Sequence, residues 1–212
     1  MNRRIHVVDY GMGNLLSVAR AVEKAGGEVV LTEDYAEIAG ADRLLLPGVG
    51  AFRDGIAGLS RNGLDDAVRA FAATGRPLLG ICLGMQMLAS ESHEFGVHVG
   101  LGLVPGRVVA IPREGDDGIA HKVPFIGWAA LESKREAGFS GTPLDGISGD
   151  SVYLVHSYYV EPVEAADLLA VYRYDGVAIT AAIQRENVFG CQFHPEKSGP
   201  AGLATVRRFL ES

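Results

Sequence analysis

Short apolar runs alternate with longer amphipathic stretches over residues 1–90. The apolar runs predict buried strands at residues 5–9, 28–31, 44–46 and 78–81. Between them, apolar side chains recur every three or four residues, which is the spacing of one helix face. Leu15, Val18 and Val22 form such a stripe, and residues 51–74 hold one or two further helices. Strands that alternate with helices predict a doubly wound, mostly parallel sheet.

Strand patterns dominate the second half of the chain. They cover residues 108–111, 128–131, 152–155, 169–174, 177–183 and 188–193. Asp175 and Gly176 lie between two of these runs, and this dipeptide is a strong signal for a two-residue hairpin. The second half therefore adds antiparallel strands to the sheet, and a helix closes the chain. We expect a single α/β domain over residues 1–212, with helices on both faces of the sheet, because no linker or repeat divides the chain.

Composition and charge narrow the classes of partner. The chain of 212 residues has a formal net charge of -7, whereas proteins that bind nucleic acid usually present a basic face. No apolar run approaches the roughly 20 residues that span a bilayer, and the first nine residues show no signal peptide. Cys82 and Cys191 are too few for a disulfide framework. We therefore expect a cytoplasmic protein with no membrane or nucleic-acid partner.

Residues 80–84, with the sequence Gly-Ile-Cys-Leu-Gly, are the first candidate for chemistry. A predicted strand enters this turn and a helix can follow it, which is the layout of a nucleophile elbow with cysteine in place of serine. At the start of the helix, backbone N–H groups and the helix dipole favour a Cys82 thiolate. The same N–H groups can hold a developing oxyanion. The alternative is a buried structural cysteine in an ordinary strand–turn–helix.

His194 and Glu196 are the second candidate. Residues two apart in extended backbone point to the same side, and Pro195 restricts the backbone between them. A carboxylate orients an imidazole and stabilises its protonated form, and a cysteine nucleophile needs such a base. The alternative for this pair is a surface or capping contact. His156 is a second candidate base with no nearby carboxylate in the sequence, and for it we favour a structural or substrate-lining role.

Two glycine-rich turns can bring backbone N–H groups to a ligand. Residues 48–50, Gly-Val-Gly, follow a predicted strand, and the alternative there is a tight βα loop. Gly11 and Gly13 lack the third glycine of a dinucleotide loop, because Leu16 stands in its place. We therefore favour a strand–helix turn at Gly11 and Gly13. The spacing of the histidines and cysteines predicts no metal site.

Three motifs, in this order along the chain, resemble the class-I (triad) glutamine amidotransferases. They are residues 47–52 (Pro-Gly-Val-Gly-Ala-Phe), 80–86 (Gly-Ile-Cys-Leu-Gly-Met-Gln) and 193–198 (Phe-His-Pro-Glu-Lys-Ser). The fuller resemblance, over nearly the whole chain, is to the glutaminase subunits of imidazole glycerol phosphate synthase. Further motifs support it at residues 9–14, 121–124, 127–128 and 156–159. The resemblance implies a flavodoxin-like fold.

The resemblance also implies a role for each candidate residue. Cys82 would attack the carboxamide of L-glutamine, His194 would carry the proton, and Glu196 would orient His194. The oxyanion hole would be formed by backbone N–H groups of Val49, Gly50 and Leu83. The substrate would be bound by Gly48, Gln86, Glu94, Ser157 and Tyr158. Among these, Glu94 has the charge to meet the ammonium group of glutamine.

Glutaminases that this chain resembles pass their ammonia to a partner. In that family a (βα)8-barrel cyclase subunit uses the ammonia to make imidazole glycerol phosphate and aminoimidazole carboxamide ribotide in histidine biosynthesis. The resemblance therefore implies a heterodimer, and no cofactor or metal on this chain. It also implies that the isolated chain is nearly silent, with the turn at Val49 and Gly50 not yet in its productive orientation.

The sequence departs from the family in one segment. The usual pattern is Lys-Val-Pro-His-x-Gly-Trp-Asn, and here Phe125 replaces the histidine and Ala129 replaces the asparagine. Both changes remove hydrogen-bonding capacity. In the family this segment lies toward the partner subunit, so a glutaminase that serves a different synthase, such as a sugar-amidating one, stays open. A non-enzymatic scaffold subunit and a thiol hydrolase of another class also stay open.

Overall fold

The structure is a computed structural model that describes residues 3–212. The strands are β1 (Arg4–Val8), β2 (Glu28–Thr32), β3 (Leu44–Leu46), β4 (Leu78–Ile81), β5 (Ala89–Ser92), β6 (His98–Val99), β7 (Val104–Ala110), β8 (Phe125–Ala130), β9 (Glu132–Ser133), β10 (Ser151–His156), β11 (Tyr158–Pro162), β12 (Leu168–Tyr174), β13 (Val177–Arg185) and β14 (Val188–Cys191). The α-helices are α1 (Leu15–Lys24), α2 (Tyr35–Gly40), α3 (Phe52–Arg61), α4 (Leu64–Ala72), α5 (Leu83–Met87) and α6 (Gly199–Glu211), and short 3-10 helices cover Ala165–Asp167 and Pro195–Lys197. In residues 3–212, the helices are all too short or too polar to cross a bilayer.

The central sheet has eight strands in the order β2-β1-β3-β4-β14-β13-β12-β9. The strands from β2 to β14 are parallel to their neighbours, and β13, β12 and β9 join them as antiparallel strands. The predicted hairpin at Asp175 and Gly176 is confirmed, since Tyr174 pairs with Val177 and both turn residues have positive φ. The predicted α/β fold, mostly parallel with added antiparallel strands, is therefore confirmed.

Not every strand of the second half joins the central sheet, so one expectation was wrong. β8 and β10 form a separate two-stranded sheet, and β7 belongs to a four-stranded sheet in the order β11-β7-β5-β6. The physical reason is that an apolar pattern predicts which side chains of a strand are buried, but it does not predict which strand lies beside it. β8 and β10 each bury one face only, which suits a ribbon laid over the core.

Both faces of the central sheet are covered. In β3, Leu45 packs on the face with α1 and α6, whereas Leu44 and Leu46 pack on the face with α3 and α4. This alternation is the period of two expected of a strand. Since β3, β4 and β14 are parallel neighbours, the segments that follow them meet at one edge of the sheet. That edge carries the turn at 48–50, Cys82 and His194.

Candidate active site

Cys82 occupies a strained turn between β4 and α5. Its backbone has φ 54° and ψ -110°, a conformation that residues other than glycine rarely adopt. The two flanking glycines are sterically required: a Cβ on Gly84 would overlap the carbonyl oxygen of Leu46, and one on Gly80 would lie 2.8 Å from the backbone nitrogen of Met85. The Cys82 N–H donates to the carbonyl oxygen of Cys191 at 2.8 Å. The turn has the geometry of a nucleophile elbow.

His194 and Glu196 lie where β14 ends and the 3-10 helix Pro195–Lys197 begins. His194 Nδ1 is 2.8 Å from Glu196 Oε1, and both side chains are almost fully buried. The backbone is fixed on both sides, because the His194 N–H donates to Tyr153 O at 3.0 Å and the Ser198 hydroxyl donates to His194 O at 2.7 Å. The imidazole is therefore held in one orientation, close enough to Cys82 for the charge of that group to act on it.

The surroundings of His194 favour its charged form. Burial lowers the pKa of the imidazole, but hydrogen bonds to Cys82 and Glu196 and the charges of these two groups raise it to about 9. Glu196 Oε2 is buried without a hydrogen-bond partner among the described residues, in apolar surroundings that include Val22 and Ile81. The carboxylate therefore directs its interaction to His194 through Oε1. A protonated imidazole between two acidic groups is the state that accompanies a thiolate.

His156 lines the same cavity but has neutral partners. Its Nδ1 is 2.8 Å from Tyr158 O, and because a carbonyl can only accept, Nδ1 carries the proton. The Tyr172 hydroxyl is 3.0 Å from Nε2 and donates to it. Burial, followed by the charge of His194, lowers the pKa of His156 to about 4, although its hydrogen bond to Tyr158 opposes this change. His156 is thus a neutral structural residue, as we favoured, and is unsuited to act as the base.

A cavity of about 310 Å³ opens beside Cys82. Most of the residues expected to bind glutamine line it, namely Val49, Gly50, Leu83, Gln86, Glu94, Ser157 and Tyr158, together with Cys82 and His194. Gly48 lies behind this wall, where a Cβ would come within about 3 Å of Gly84 N. The Glu94 carboxylate accepts the Phe52 N–H at 2.6 Å, at the start of α3, which fixes its position. The lining of the cavity therefore includes both a carboxylate and the sulfur of Cys82.

The expected oxyanion hole is closed in this structure. The Leu83 N–H donates to the carbonyl oxygen of Gly48 at 3.3 Å, so this donor is already engaged. The preceding turn is held by Tyr10, whose hydroxyl donates to Pro47 O at 2.8 Å. Gly50 has φ 106°, a conformation that favours glycine. Rotation of the Gly48 carbonyl away from Leu83 would free the Leu83 N–H for a substrate oxygen.

Sequence reasoning missed two residues of the site, Gln192 and Tyr10. Gln192 is fully buried with its amide nitrogen 3.6 Å from Cys82 Sγ. A signal was present, because Gln192 lies two residues before His194 and therefore points to the same side. Tyr10 gave no comparable signal, since its contact with Pro47 joins two separate loops.

The two departures from the family pattern lie on the inward face of β8. Phe125 and Ala129 pack against the core, whereas Ile126 and Trp128 are 63% and 57% exposed. Phe125 contacts the rings of Tyr172 and Tyr174, each with a centroid separation of 4.8 Å. An aromatic cluster thus accommodates Phe125 without a hydrogen bond. The outward surface of β8 is formed by side chains other than the two replaced ones.

Metal ligation finds no support in the part of the chain that the structure describes. Residues 3–212 hold no group of three or more histidine, cysteine or carboxylate side chains close enough to share an ion. Cys82 and Cys191 are both free thiols in these residues. Burial raises the pKa of Cys191 well above its ordinary value, as do the charges of Glu196 and Cys82, which marks Cys191 as an unreactive core residue.

Comparison with known proteins agrees with this geometry. The family model "Glutamine amidotransferase class-I" matches residues 6–212. Imidazole glycerol phosphate synthase subunit HisH 1 of Legionella pneumophila (strain Lens) is 50% identical over 209 residues, which cover 98% of either chain. The HisH subunit of Geobacillus thermodenitrificans is 48% identical over 206 residues, covering 97% of this chain and 94% of the relative.

Solved structures show the same fold at lower identity. A glutamine amidotransferase crystal structure superposes with a TM-score of 0.73 at 20% identity, covering 98% of this chain and 97% of the other. The structure of PurLQS from Thermotoga maritima gives a TM-score of 0.71 at 19% identity, with 100% and 98% covered. The elbow, the fold and the family match agree, and the chain belongs to the class-I glutamine amidotransferases.

Proposed function

We propose that this chain is the glutaminase subunit of an imidazole glycerol phosphate synthase. It hydrolyses L-glutamine to glutamate and ammonia and passes the ammonia to a cyclase subunit, which makes imidazole glycerol phosphate and aminoimidazole carboxamide ribotide in histidine biosynthesis. The observation that carries the proposal is the buried contact of 2.8 Å between His194 and Glu196 beside a strained Cys82. It occurs in a chain that is 50% identical to a HisH subunit over 98% of its length.

The first half of the proposed reaction transfers the glutamyl group to the enzyme. The Cys82 thiolate attacks the carboxamide carbon, and the carbonyl oxygen becomes an oxyanion in the tetrahedral intermediate. The His194 imidazolium then donates its proton to the amide nitrogen, which leaves as ammonia. Glu196 keeps the imidazole oriented and stabilises its charge through the contact of 2.8 Å. The product on the enzyme is a glutamyl thioester.

The second half returns the enzyme to its starting state. Neutral His194 accepts a proton from water, and the resulting hydroxide attacks the thioester carbon. The Cys82 thiolate leaves and glutamate is released. No cofactor or metal on this chain takes part in the proposed reaction. In both halves the oxyanion would be held by the Leu83 N–H and a backbone N–H at Val49 or Gly50, once the Gly48 carbonyl has released Leu83.

The cavity suits glutamine at both of its ends. The Glu94 carboxylate would pair with the substrate ammonium group, and its own position is fixed by the Phe52 N–H. Gln86 donates both hydrogens of its amide within the protein, to Tyr158 O and Gln192 Oε1, each at 3.0 Å. Its Oε1 is therefore left as an acceptor for a substrate N–H. Backbone and side chains at Ser157 and Tyr158 line the remaining wall.

The partner that we propose is a (βα)8-barrel cyclase, bound as a heterodimer. The exposed apolar side chains Val49, Val123, Ile126 and Trp128 would meet it, because they lie on or beside the segments that line the glutamine cavity. Phe125 and Ala129 motivated the alternative of a different, sugar-amidating synthase. Both side chains face the core, so these two replacements do not alter the surface that we propose for docking. Co-purification with another synthase would favour the alternative.

Glutamate release from glutamine tests the proposal directly. The chain alone is compared with the chain plus the cyclase of the same organism and its ribotide ligand. We expect stimulation of at least about tenfold, within the usual range of coupling between two sites, and its loss in Cys82→Ala. A chain that turns over glutamine equally fast alone contradicts the expected silence of the free subunit. No stimulation, with Cys82 still alkylated by a glutamine analogue, indicates a glutaminase that serves a different synthase.

Two further expectations belong to this proposal. We propose a cytoplasmic location, which agrees with the two free thiols. We also propose that residues 1–212 form one glutamine amidotransferase domain, in agreement with a family match over residues 6–212. A single cooperative unfolding transition, with the same midpoint by circular dichroism and by tryptophan fluorescence, is the expected result.

A further inference from the structure

Gln192 is a fully buried polar side chain beside the proposed nucleophile. It follows β14, and its backbone N–H donates to Ala181 O at 2.8 Å. Its amide nitrogen Nε2 lies 3.6 Å from Cys82 Sγ, and its Oε1 lies 3.0 Å from Gln86 Nε2. A buried amide without hydrogen bonds is costly, so these contacts account for its stable burial.

The orientation of this amide follows from a backbone group. Tyr158 O can only accept a hydrogen bond, so the group facing it at 3.0 Å must be the NH₂ of Gln86. The same NH₂ faces Gln192, which must therefore present its oxygen there. Hence the NH₂ of Gln192 points to Cys82 Sγ. The chain of donors runs from Gln86 through Gln192 to the sulfur, and the Tyr158 carbonyl sets its direction.

We propose that Gln192 is a positioning residue that donates a hydrogen bond to the Cys82 sulfur, stabilises its thiolate and is itself held by the substrate-binding Gln86. The assignment of Gln86 to the substrate rests on the proposed function, whereas the contact with Cys82 does not. A neutral amide can stabilise the thiolate through a hydrogen bond without transferring a proton to it. It also limits the rotation of the sulfur about the strained turn, so that the thiolate keeps its direction toward the cavity.

Within residues 3–212, Cys82 interacts electrostatically with the titratable groups of His194, Tyr10 and Cys191, and among these His194 can change charge near neutral pH. His194 lines the same cavity as Cys82, and the pKa of His194 is raised to about 9. Burial and the charge of Cys82 raise the pKa of Tyr10 well above its ordinary value, and Cys191 is shifted in the same direction. Tyr10 and Cys191 therefore stay neutral near neutral pH. His194, and through it Glu196, also affect the pH midpoint of Cys82 alkylation, and both residues are unchanged in the Gln192 variants.

The test follows the pH dependence of Cys82 alkylation by iodoacetamide, read from the Cys82 peptide by mass spectrometry in the full chain. Gln192→Met removes both the donor and the acceptor, whereas Gln192→Glu keeps an acceptor for Gln86 and replaces the donor with oxygen. We expect Gln192→Met to raise the pH midpoint of alkylation by about one unit, the size of a hydrogen bond to a charged group. We expect Gln192→Glu to raise it further, because its carboxylate adds a like charge beside the thiolate. Gln184→Met is the matched control, because it removes a glutamine amide that accepts from Arg135 away from the sulfur.

The two variants also separate thiolate support from substrate binding. In glutamine hydrolysis with the cyclase present, Gln192→Glu is expected to lower kcat about tenfold at pH 7 with little change in KM. Gln192→Met is expected to raise KM as well, because Gln86 loses its acceptor. Gln184→Met should leave kcat, KM and the alkylation midpoint unchanged.

Clear outcomes overturn the inference. An unchanged alkylation midpoint in Gln192→Met, with a lower melting temperature, would mean that Gln192 only fills space. If Gln192→Met does not fold, an unchanged midpoint in the isosteric Gln192→Glu would overturn the inference, because that variant removes the donor and adds a like charge. A shifted midpoint in a chain that shows no glutaminase activity with any cyclase would refute the proposed function and leave the hydrogen bond to Cys82 standing.

Discussion

The regions around His194 and His156 differ in charge although both imidazoles are buried and line one cavity. Burial lowers the pKa of each, but the pKa of His194 is raised to about 9 and that of His156 is lowered to about 4. The difference comes from their partners. His194 lies between a thiol and a carboxylate, whereas His156 lies between a carbonyl and a phenol.

This contrast shows that neighbours decide the role of a histidine. Two groups that carry or gain negative charge stabilise an imidazolium, which can then give its proton to a leaving group. A carbonyl and a hydroxyl satisfy both nitrogens of a neutral ring and give it no reason to titrate near neutral pH. Substitutions at the partners of each histidine, and a change of pH, can test this contrast.

Glu196→Gln should have the largest effect. The amide still reaches His194 Nδ1 but carries no charge, so the pKa of His194 falls from about 9. Because the amide can also present its NH₂ to Nδ1, the tautomer of the imidazole is no longer fixed. We expect kcat/KM for glutamine, measured with the cyclase partner, to fall by about 10³-fold. The pKa change is read from the pH titration of the His194 ring protons by NMR.

A matched control exists at the surface. His93 Nε2 and Glu91 Oε1 are also 2.8 Å apart, but both side chains are exposed to solvent. Glu91→Gln should therefore leave glutamine hydrolysis unchanged. A loss of less than tenfold in Glu196→Gln would show that the orientation of His194 does not depend on Glu196.

The pH dependence of stability should show opposite contributions from the two histidines. The folded pKa of His156, about 4, lies below its ordinary 6.5, so the unfolded chain binds the proton more tightly. Acidification from pH 6.5 to 4 therefore removes about 3 kcal/mol from the free energy of unfolding. The raised pKa of His194 acts in the other direction, since its contribution is fully present below pH 6.5 and is lost as the pH rises to about 9.

Urea unfolding of the native chain and His156→Gln between pH 4 and 9 measures these contributions. The variant should lose the acid slope that belongs to His156 and keep the alkaline one. An equally steep acid slope in both proteins would mean that His156 is protonated in the folded state.

Tyr172→Phe should weaken the His156 region and spare the chemistry. It leaves Nε2 of a buried imidazole without a donor, at a cost of about 1–2 kcal/mol in the free energy of unfolding. Glutamine hydrolysis should stay within about twofold, because the His194 contacts are untouched. Tyr174→Phe is the comparison variant, since its hydroxyl bonds the exposed backbone of Lys122 and its loss should cost less. Equal losses in the two variants would contradict the special role of Tyr172.

Phe125→His should have the smallest effect on activity. It restores the family residue at an inward position, where the ring meets Tyr172, Tyr174 and His156. We expect the stimulation of glutamate release by the cyclase to change by less than about twofold, because the outward side chains of β8 are unaltered. Trp128→Ala is the contrasting variant, because it removes an exposed side chain and should lower the affinity for the cyclase. A large gain of stimulation in Phe125→His would show that the interior of β8 transmits the partner signal.

Much of the fold was accessible from local pattern. The all-apolar Leu44–Leu46 and Leu78–Ile81 lie buried in the middle of the sheet, and the hairpin at Asp175 and Gly176 follows from two residues. Helix α2 was missed because six residues carry too little periodicity, although Asp34 caps it by accepting the Glu37 N–H at 2.9 Å. The pairing of β8 with β10 was missed because partner choice depends on distant segments.

The contacts of the site likewise include some that the sequence predicted and some that it did not. The contact of His194 with Glu196 was predicted from their spacing, but Glu196 lies in the 3-10 helix Pro195–Lys197 and not in the extended backbone that the prediction assumed. The hydrogen bond from the Leu83 N–H to Gly48 O depends on how the backbone of the turn is oriented, and the residue types do not encode that orientation. The partners of His156 could not be read from spacing either, since Tyr172 comes from β12.

The parallel pairing of β4 with β14 has a consequence for how the chain acquires a reactive thiol. Cys82 directly follows strand β4, but Gln192 lies 110 residues further along the chain. During synthesis the cysteine therefore emerges long before the residues that would activate it, and it remains an ordinary thiol until the last strand docks. Reactivity toward electrophiles and oxidants would then arise in the same late step that completes the sheet. In nascent or truncated chains Cys82 would therefore react as an ordinary thiol.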